Sequence, residues 1–175
     1  MSRPRFATVW LDGCSGCHMS FLDMDERLLD LAEHADLVYS PLVDIKEYPD
    51  GVDVCLVEGA VSSTDDVAKI KVVRARTKTL VSFGDCAVTA NVPSLRNPIG
   101  ARPLLERAYL ENVDVNPGIP HKAVPTLLES SVGVHKAVPV DVFLPGCPPS
   151  ADVIHETLLR LLGIDTPPER PLRFG

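Results

Sequence analysis

Apolar runs rich in β-branched residues recur along the chain at 6–11, 37–43, 52–57, 80–83 and 140–144, separated by more polar stretches. Each has the length and composition of a strand. Between several of them the apolar residues fall at helical spacing, over 19–35, 64–77, 101–110 and 151–162. Strands alternating with helices predict an α/β domain built on a largely parallel sheet. The helix at 151–162 is the most completely specified. Ser150 can cap it, Asp152 lies in its first turn, Val153, Ile154, Thr157, Leu158, Leu161 and Leu162 make an apolar stripe, and Gly163 can end it.

From 91 to 139 the pattern fades into a Pro-rich stretch without sustained period, which predicts a long, mostly extended loop region holding one short helix. The pentapeptide HKAVP occurs twice in it, at 121–125 and 135–139. Two copies are too few for a repeat architecture, so they read as a chance similarity of extended segments. The last residues, 164–175, read as an extended arm resting on a partner.

A length of 175 residues suits a single α/β domain with a real core. No apolar stretch is long enough to cross a bilayer. The start, MSRPRFATVWLDG, passes into a strand-like run with neither an apolar signal core nor a twin-arginine pair, so a cytoplasmic location is expected. Net charge is −7 with Lys and Arg scattered, which leaves nucleic acid without an electrostatic footprint.

The chemistry lies in the five cysteines. Three predicted strands end in a glycine and then a cysteine: WLDGC at Cys14, SFGDC at Cys86 and FLPGC at Cys147. In an open parallel sheet the loops after the carboxyl ends of the strands converge on one crevice. Cys14, Cys17, Cys86 and Cys147 are therefore expected to meet there as the thiolate ligands of one metal site. Gly13, Gly16, Gly84 and Gly146 would let the backbone approach a bulky inorganic group and aim N–H donors at its sulfurs. Cys55, inside VDVCLVE without such a glycine, reads as a buried apolar filler. Zinc also takes four thiolates, but its structural sites mostly use two tight pairs, and only CSGC is tight here. The same CxxC could serve as a thiol-disulfide pair, Cys14 with Cys17. CSGCH matches a c-type haem attachment motif, a modification of exported proteins, so His18 reads instead as a helix-start residue near the site or at an interface.

Glu58 closes the run at 52–57 in the sequence VEGA and brings a carboxylate to the same crevice. It can be a solvated acid accepting loop N–H bonds, or a proton-relay or interface carboxylate beside the metal. Asp12 and Asp85 read as turn formers.

Taken together, WLDGCSGCHMSFLD, CLVEGAV, SFGDCA and VFLPGCPPS occur in family order, and the chain resembles the small subunit of nickel-iron hydrogenases, above all the short form of cytoplasmic, bidirectional, NAD-reducing enzymes. The match runs from residue 6 to about 162. The resemblance implies a flavodoxin-like sheet with helices on both faces, holding one proximal 4Fe-4S cluster through Cys14, Cys17, Cys86 and Cys147. It also implies a nickel-iron site on a large partner subunit, and a partner diaphorase with iron-sulfur clusters and FMN that reduces NAD(P). This chain would conduct electrons between the two. Ligands for a second cluster, present in longer relatives, are missing. A flavin bound by this chain is not expected, since no phosphate-cradling loop is visible. The related complex I subunit shares PGCPP but has adjacent cysteines where this chain has CSGC, so an iron-sulfur subunit of a complex I-related reductase is the alternative.

Overall fold

In the structure, a computed structural model that describes residues 3–164, five parallel strands form one sheet in the order β2-β1-β3-β5-β7. In chain order the elements are β1 (Arg5–Trp10), α1 (Gly16–Leu22), α2 (Arg27–His34), β2 (Asp36–Tyr39), β3 (Val52–Glu58), β4 (Val61–Ser63), α3 (Thr64–Ala75), β5 (Thr77–Phe83), α4 (Asp85–Thr89), α5 (Ala101–Glu106), β6 (Leu127–Val132), β7 (Val142–Leu144) and α6 (Ala151–Leu162). With the outlying pair β4 and β6 set aside, the order is the flavodoxin-like one, which reverses direction between β1 and β3.

Helices cover both faces, because alternate residues of each central strand are apolar in both directions. On one face Phe6, Val54, Leu56, Val81 and Phe83 pack with Phe21 and Met24, with Leu31 of α2, and with Ile154 and Leu158 of α6. On the other, Val9, Cys55, Val57 and Leu80 pack with Ile70 and Val73 of α3 and Ala87 of α4. Each fully buried Val, Leu, Ile or Phe stabilises the fold by about 1.5–3 kcal/mol, so the central strands carry most of the core. Cys55 lies fully inside it, as the sequence suggested.

The helix at 151–162 forms as expected. Ser150 Oγ accepts the Val153 N–H, and Gly163 ends the helix at a φ of 66°, although Val153 itself faces solvent. The helix expected over 19–35 does not form as one piece. It breaks after Leu22 because Asp25 takes a left-handed φ of 57° while Met24 turns into the core at 1% exposure. The strand at 37–43 stops at Tyr39, just short of Pro41, which has no N–H to give a sheet.

The 91–139 region is less extended than its composition implied. Residues Val92–Arg96 form a 3-10 turn, α5 runs on into a π-helical turn at Arg107–Glu111, and β6 pairs antiparallel with β4. Ser131 fixes this pairing: its amide donates to Asn97, whose own amide group donates back to the Ser131 carbonyl, and its Oγ accepts from Ser62. The two HKAVP copies adopt different structures. His135 and Lys136 lie in a 3-10 turn with Val138 buried, whereas Val124 of the first copy is exposed. Apart from Ile164, the arm expected at 164–175 lies outside the described residues. Among the described residues no helix is long and apolar enough to cross a membrane.

Candidate metal centre

Four strands end level with one another. Trp10 of β1 is in register with Glu58 of β3, Glu58 with Phe83 of β5, and Phe83 with Leu144 of β7. Parallel pairing therefore brings the loops that follow to one edge of the sheet. Cys14 lies in the loop after β1, Cys17 in the first turn of α1, Cys86 in the first turn of α4, and Cys147 in the loop after β7. At this edge Cys17 stands within electrostatic reach of Cys14, Cys86 and Cys147, and Cys86 within reach of Cys14 and Cys147. Burial pushes the Cys17 thiol up to about 12, and the nearby Glu58, Cys86, Cys14 and Cys147 add to the rise. The Cys86 thiol is raised too, by burial first and then by Cys14, Cys147 and Glu58, against an opposing N–H bond from Val92.

All five cysteines are free thiols, with Cys17 buried, Cys86 half-buried, and Cys14 and Cys147 exposed. Among the described residues no three His, Cys, Asp or Glu side chains gather tightly enough to hold a single metal ion. A four-iron cube takes one thiolate at each of its separate corners and so suits thiols that share a crevice without touching a common point.

The glycines are needed mainly for room. Gly84, at a φ of 82°, passes against the Cys17 sulfur, and a Cβ there would lie 2.2 Å from that Sγ. Gly59 follows Glu58 at a φ of 93°, and a Cβ on it would come within 2.8 Å of the Leu11 carbonyl carbon. That close crossing lets Asp12 exchange backbone hydrogen bonds with Ala60, which ties the Cys14 loop to β3. Gly13 faces the Gly59 Cα, and Gly16 abuts the Cys14 Sγ. Two of the expected sulfur-directed donors point elsewhere: the Gly84 N–H donates to the Leu144 carbonyl and the Gly146 N–H to Asp85 Oδ1. Asp85 is thus a turn former that also links the Cys86 and Cys147 loops. Asn91, which carried no sequence signal, donates from Nδ2 to the Cys147 Sγ at 3.6 Å.

Glu58 is not the solvated acid that its strand-end position allowed; it is 1% exposed. Its Oε1 accepts the Cys17 N–H at 3.4 Å and its Oε2 the His18 N–H at 2.9 Å. The His18 imidazole is buried as well, with Nδ1 against Glu58 Oε2 and Nε2 at 2.9 Å from Thr8 Oγ1. Sequence reasoning placed Glu58 at the crevice but missed Thr8 and the pairing with His18, because nothing in the spacing of residues 8, 18 and 58 betrays their meeting.

Comparison with known proteins bears on this arrangement. The chain matches the family described as NADH ubiquinone oxidoreductase, 20 Kd subunit, over residues 14–161. It is 40% identical over 159 residues to the delta subunit of the NAD-reducing hydrogenase HoxS of Cupriavidus necator, a match covering 88% of this chain and 76% of that one. The chain belongs to the small-subunit family of nickel-iron hydrogenases. It is also 35% identical to one subunit of the F420-non-reducing hydrogenase vhu of Methanocaldococcus jannaschii, over 91% of this chain but only 56% of that longer relative. A crystal structure of an NAD+-reducing NiFe hydrogenase in the H2-reduced state superimposes with a TM-score of 0.88 at 38% identity, covering 99% of this chain and 100% of its counterpart. Membership in this family makes the chain a subunit of an oxidoreductase and accounts for the α/β architecture.

Proposed function

We propose that this chain holds one 4Fe-4S cluster through Cys14, Cys17, Cys86 and Cys147. In this reading it carries electrons between the nickel-iron site of a large subunit and a diaphorase that reduces NAD(P). The observation that carries the proposal is the gathering of four free thiols at the level ends of adjacent parallel strands, with Gly84 and Gly16 packed against two of the sulfurs. The name of the Cupriavidus relative and the description of the matching crystal structure support NAD as the electron partner of the complex.

Such a cluster supplies one-electron redox chemistry at a potential that its surroundings tune. The residues of the chain set those surroundings. Burial of Cys17 and the packing of Gly84 over it keep water from one side of the crevice, while Cys14 and Cys147 remain open to a neighbouring subunit. The Asn91 amide lies against Cys147 as an N–H donor to sulfur, the kind of contact that eases reduction. Glu58 lies beside Cys17, and its burial favours a role within this chain over one on a partner surface.

Anaerobic purification of the whole complex, with iron, acid-labile sulfide and zinc measured, tests the reading. A brown complex whose Cys86→Ser variant loses this chain's iron and hydrogen-driven NAD reduction, while Cys55→Ser retains both, is the expected outcome. Equal losses in both variants would refute the ligand assignment, and zinc with no labile sulfide in this chain would refute the cluster.

A further inference from the structure

We propose that Thr8 and His18 are positioning residues for Cys17, acting through Glu58; the inference rests on the reading of Cys17 as a cluster ligand. The helix that carries Cys17 needs an external partner at its start. α1 has only seven residues, its N-cap Ser15 sits in a left-handed conformation, and no side chain of that cap accepts a helix N–H. A carboxylate from another strand takes over the task, since Glu58 receives the N–H groups of both Cys17 and His18. Donors at a helix start that lack a partner inside the helix must find one elsewhere.

A carboxylate can do this only if it is held in orientation, and a chain of contacts through the His18 imidazole holds it. His18 Nδ1 meets the same Oε2 that receives the His18 amide. The imidazole is fixed in turn by Thr8 Oγ1 at Nε2 and by the Phe83 ring, which meets it edge-on with centroids 6.4 Å apart. Thr8 is fully buried and its hydroxyl donates to Ser40 Oγ at 2.8 Å, which anchors it to the end of β2. The relay thus starts at β2's end, crosses β1 and ends at the Cys17 amide. Its effect is to hold two amides at the carboxylate and away from the sulfurs. N–H donors to cluster sulfurs favour the reduced, more negative form, so freeing these amides would raise the midpoint potential.

The experiment compares Thr8→Val with Thr8→Ser in the intact complex, reading iron and labile sulfide content, the electron paramagnetic resonance spectrum, and the midpoint potential of this chain's cluster. The expected result is a loaded Thr8→Val protein with an altered spectrum and a potential moved to more positive values, and a Thr8→Ser protein indistinguishable from wild type. Failure of Thr8→Val to load, restored by Thr8→Ser, equally supports positioning by the hydroxyl. A loaded Thr8→Val protein with the wild-type potential, a shift toward more negative values, or the same defect in both variants would overturn the inference. A wild-type chain that carries no iron and sulfide would instead overturn the reading on which it rests.

Discussion

Gly84 and Cys17 sit at the starts of two different helices, yet a Cβ at position 84 would lie 2.2 Å from the Cys17 sulfur. The contact couples a backbone requirement to the position of a proposed cluster ligand. Gly84 also needs its φ of 82°, a conformation that costs a side-chain-bearing residue about 1–3 kcal/mol. Gly84→Ala is therefore expected to displace Cys17 and to yield a complex with most of this chain's iron missing. Iron and labile sulfide per chain, measured beside circular dichroism to confirm folding, check it; full iron content would show that Cys17 tolerates the intrusion.

Asp85 joins the loops that carry Cys86 and Cys147. Its Oδ1 accepts the Gly146 N–H at 2.8 Å, and its own N–H donates to the Gly146 carbonyl at 2.9 Å. Asp85→Ala leaves the Gly146 amide without its acceptor, at a cost of about 1–3 kcal/mol. Faster hydrogen exchange at Gly146 and a lower Tm are expected, with Asp85→Asn milder because an acceptor oxygen remains. Unchanged exchange at Gly146 in the alanine variant would count against the linkage.

The start of α3 tests stability away from the site. Ser63 Oγ accepts the Asp66 N–H while Asp66 Oδ2 accepts the Ser63 N–H, so each residue caps the other. Asp66→Ala should cost about 1 kcal/mol. For a chain of this size that corresponds to a Tm lower by about 2–4 °C. Iron content should stay at the wild-type value, and calorimetry with metal analysis reads both.

Asp141 gives a pH dependence. Burial alone would raise its carboxyl, but the Leu80 N–H and the Arg74 guanidinium outweigh burial and hold it below the usual carboxylate range. A group lowered on folding stabilises the protein above its unfolded value, about 3.9 for Asp, and that contribution disappears as pH falls through the folded value. The urea midpoint of wild type should therefore drop more steeply below about pH 4 than that of Asp141→Asn. Parallel pH profiles would show that the ion pair contributes nothing.

Local pattern determined much of this protein. The β-branched runs specified the central strands, because a strand buried on both faces must be apolar almost throughout. The bounds of α6 were readable to the residue, since its cap and terminal glycine lie at its flanks, although Val153 of the expected stripe faces solvent. The Gly–Cys endings pointed to one crevice because parallel strands start their return loops from the same edge.

What the chain alone left open depended on contacts between residues far apart in sequence. The break between α1 and α2 follows from Met24 entering the core while Asp25 turns left-handed, and β6 exists because β4 offers it an edge; neither cause is local. The site divides in the same way. Spacing singled out the four proposed cysteine ligands, whereas the line from Thr8 through His18 to Glu58, and the burial of that carboxylate, came only from packing. Periodicity reports the demands a residue places on its own segment, and only tertiary structure decides which distant group satisfies them.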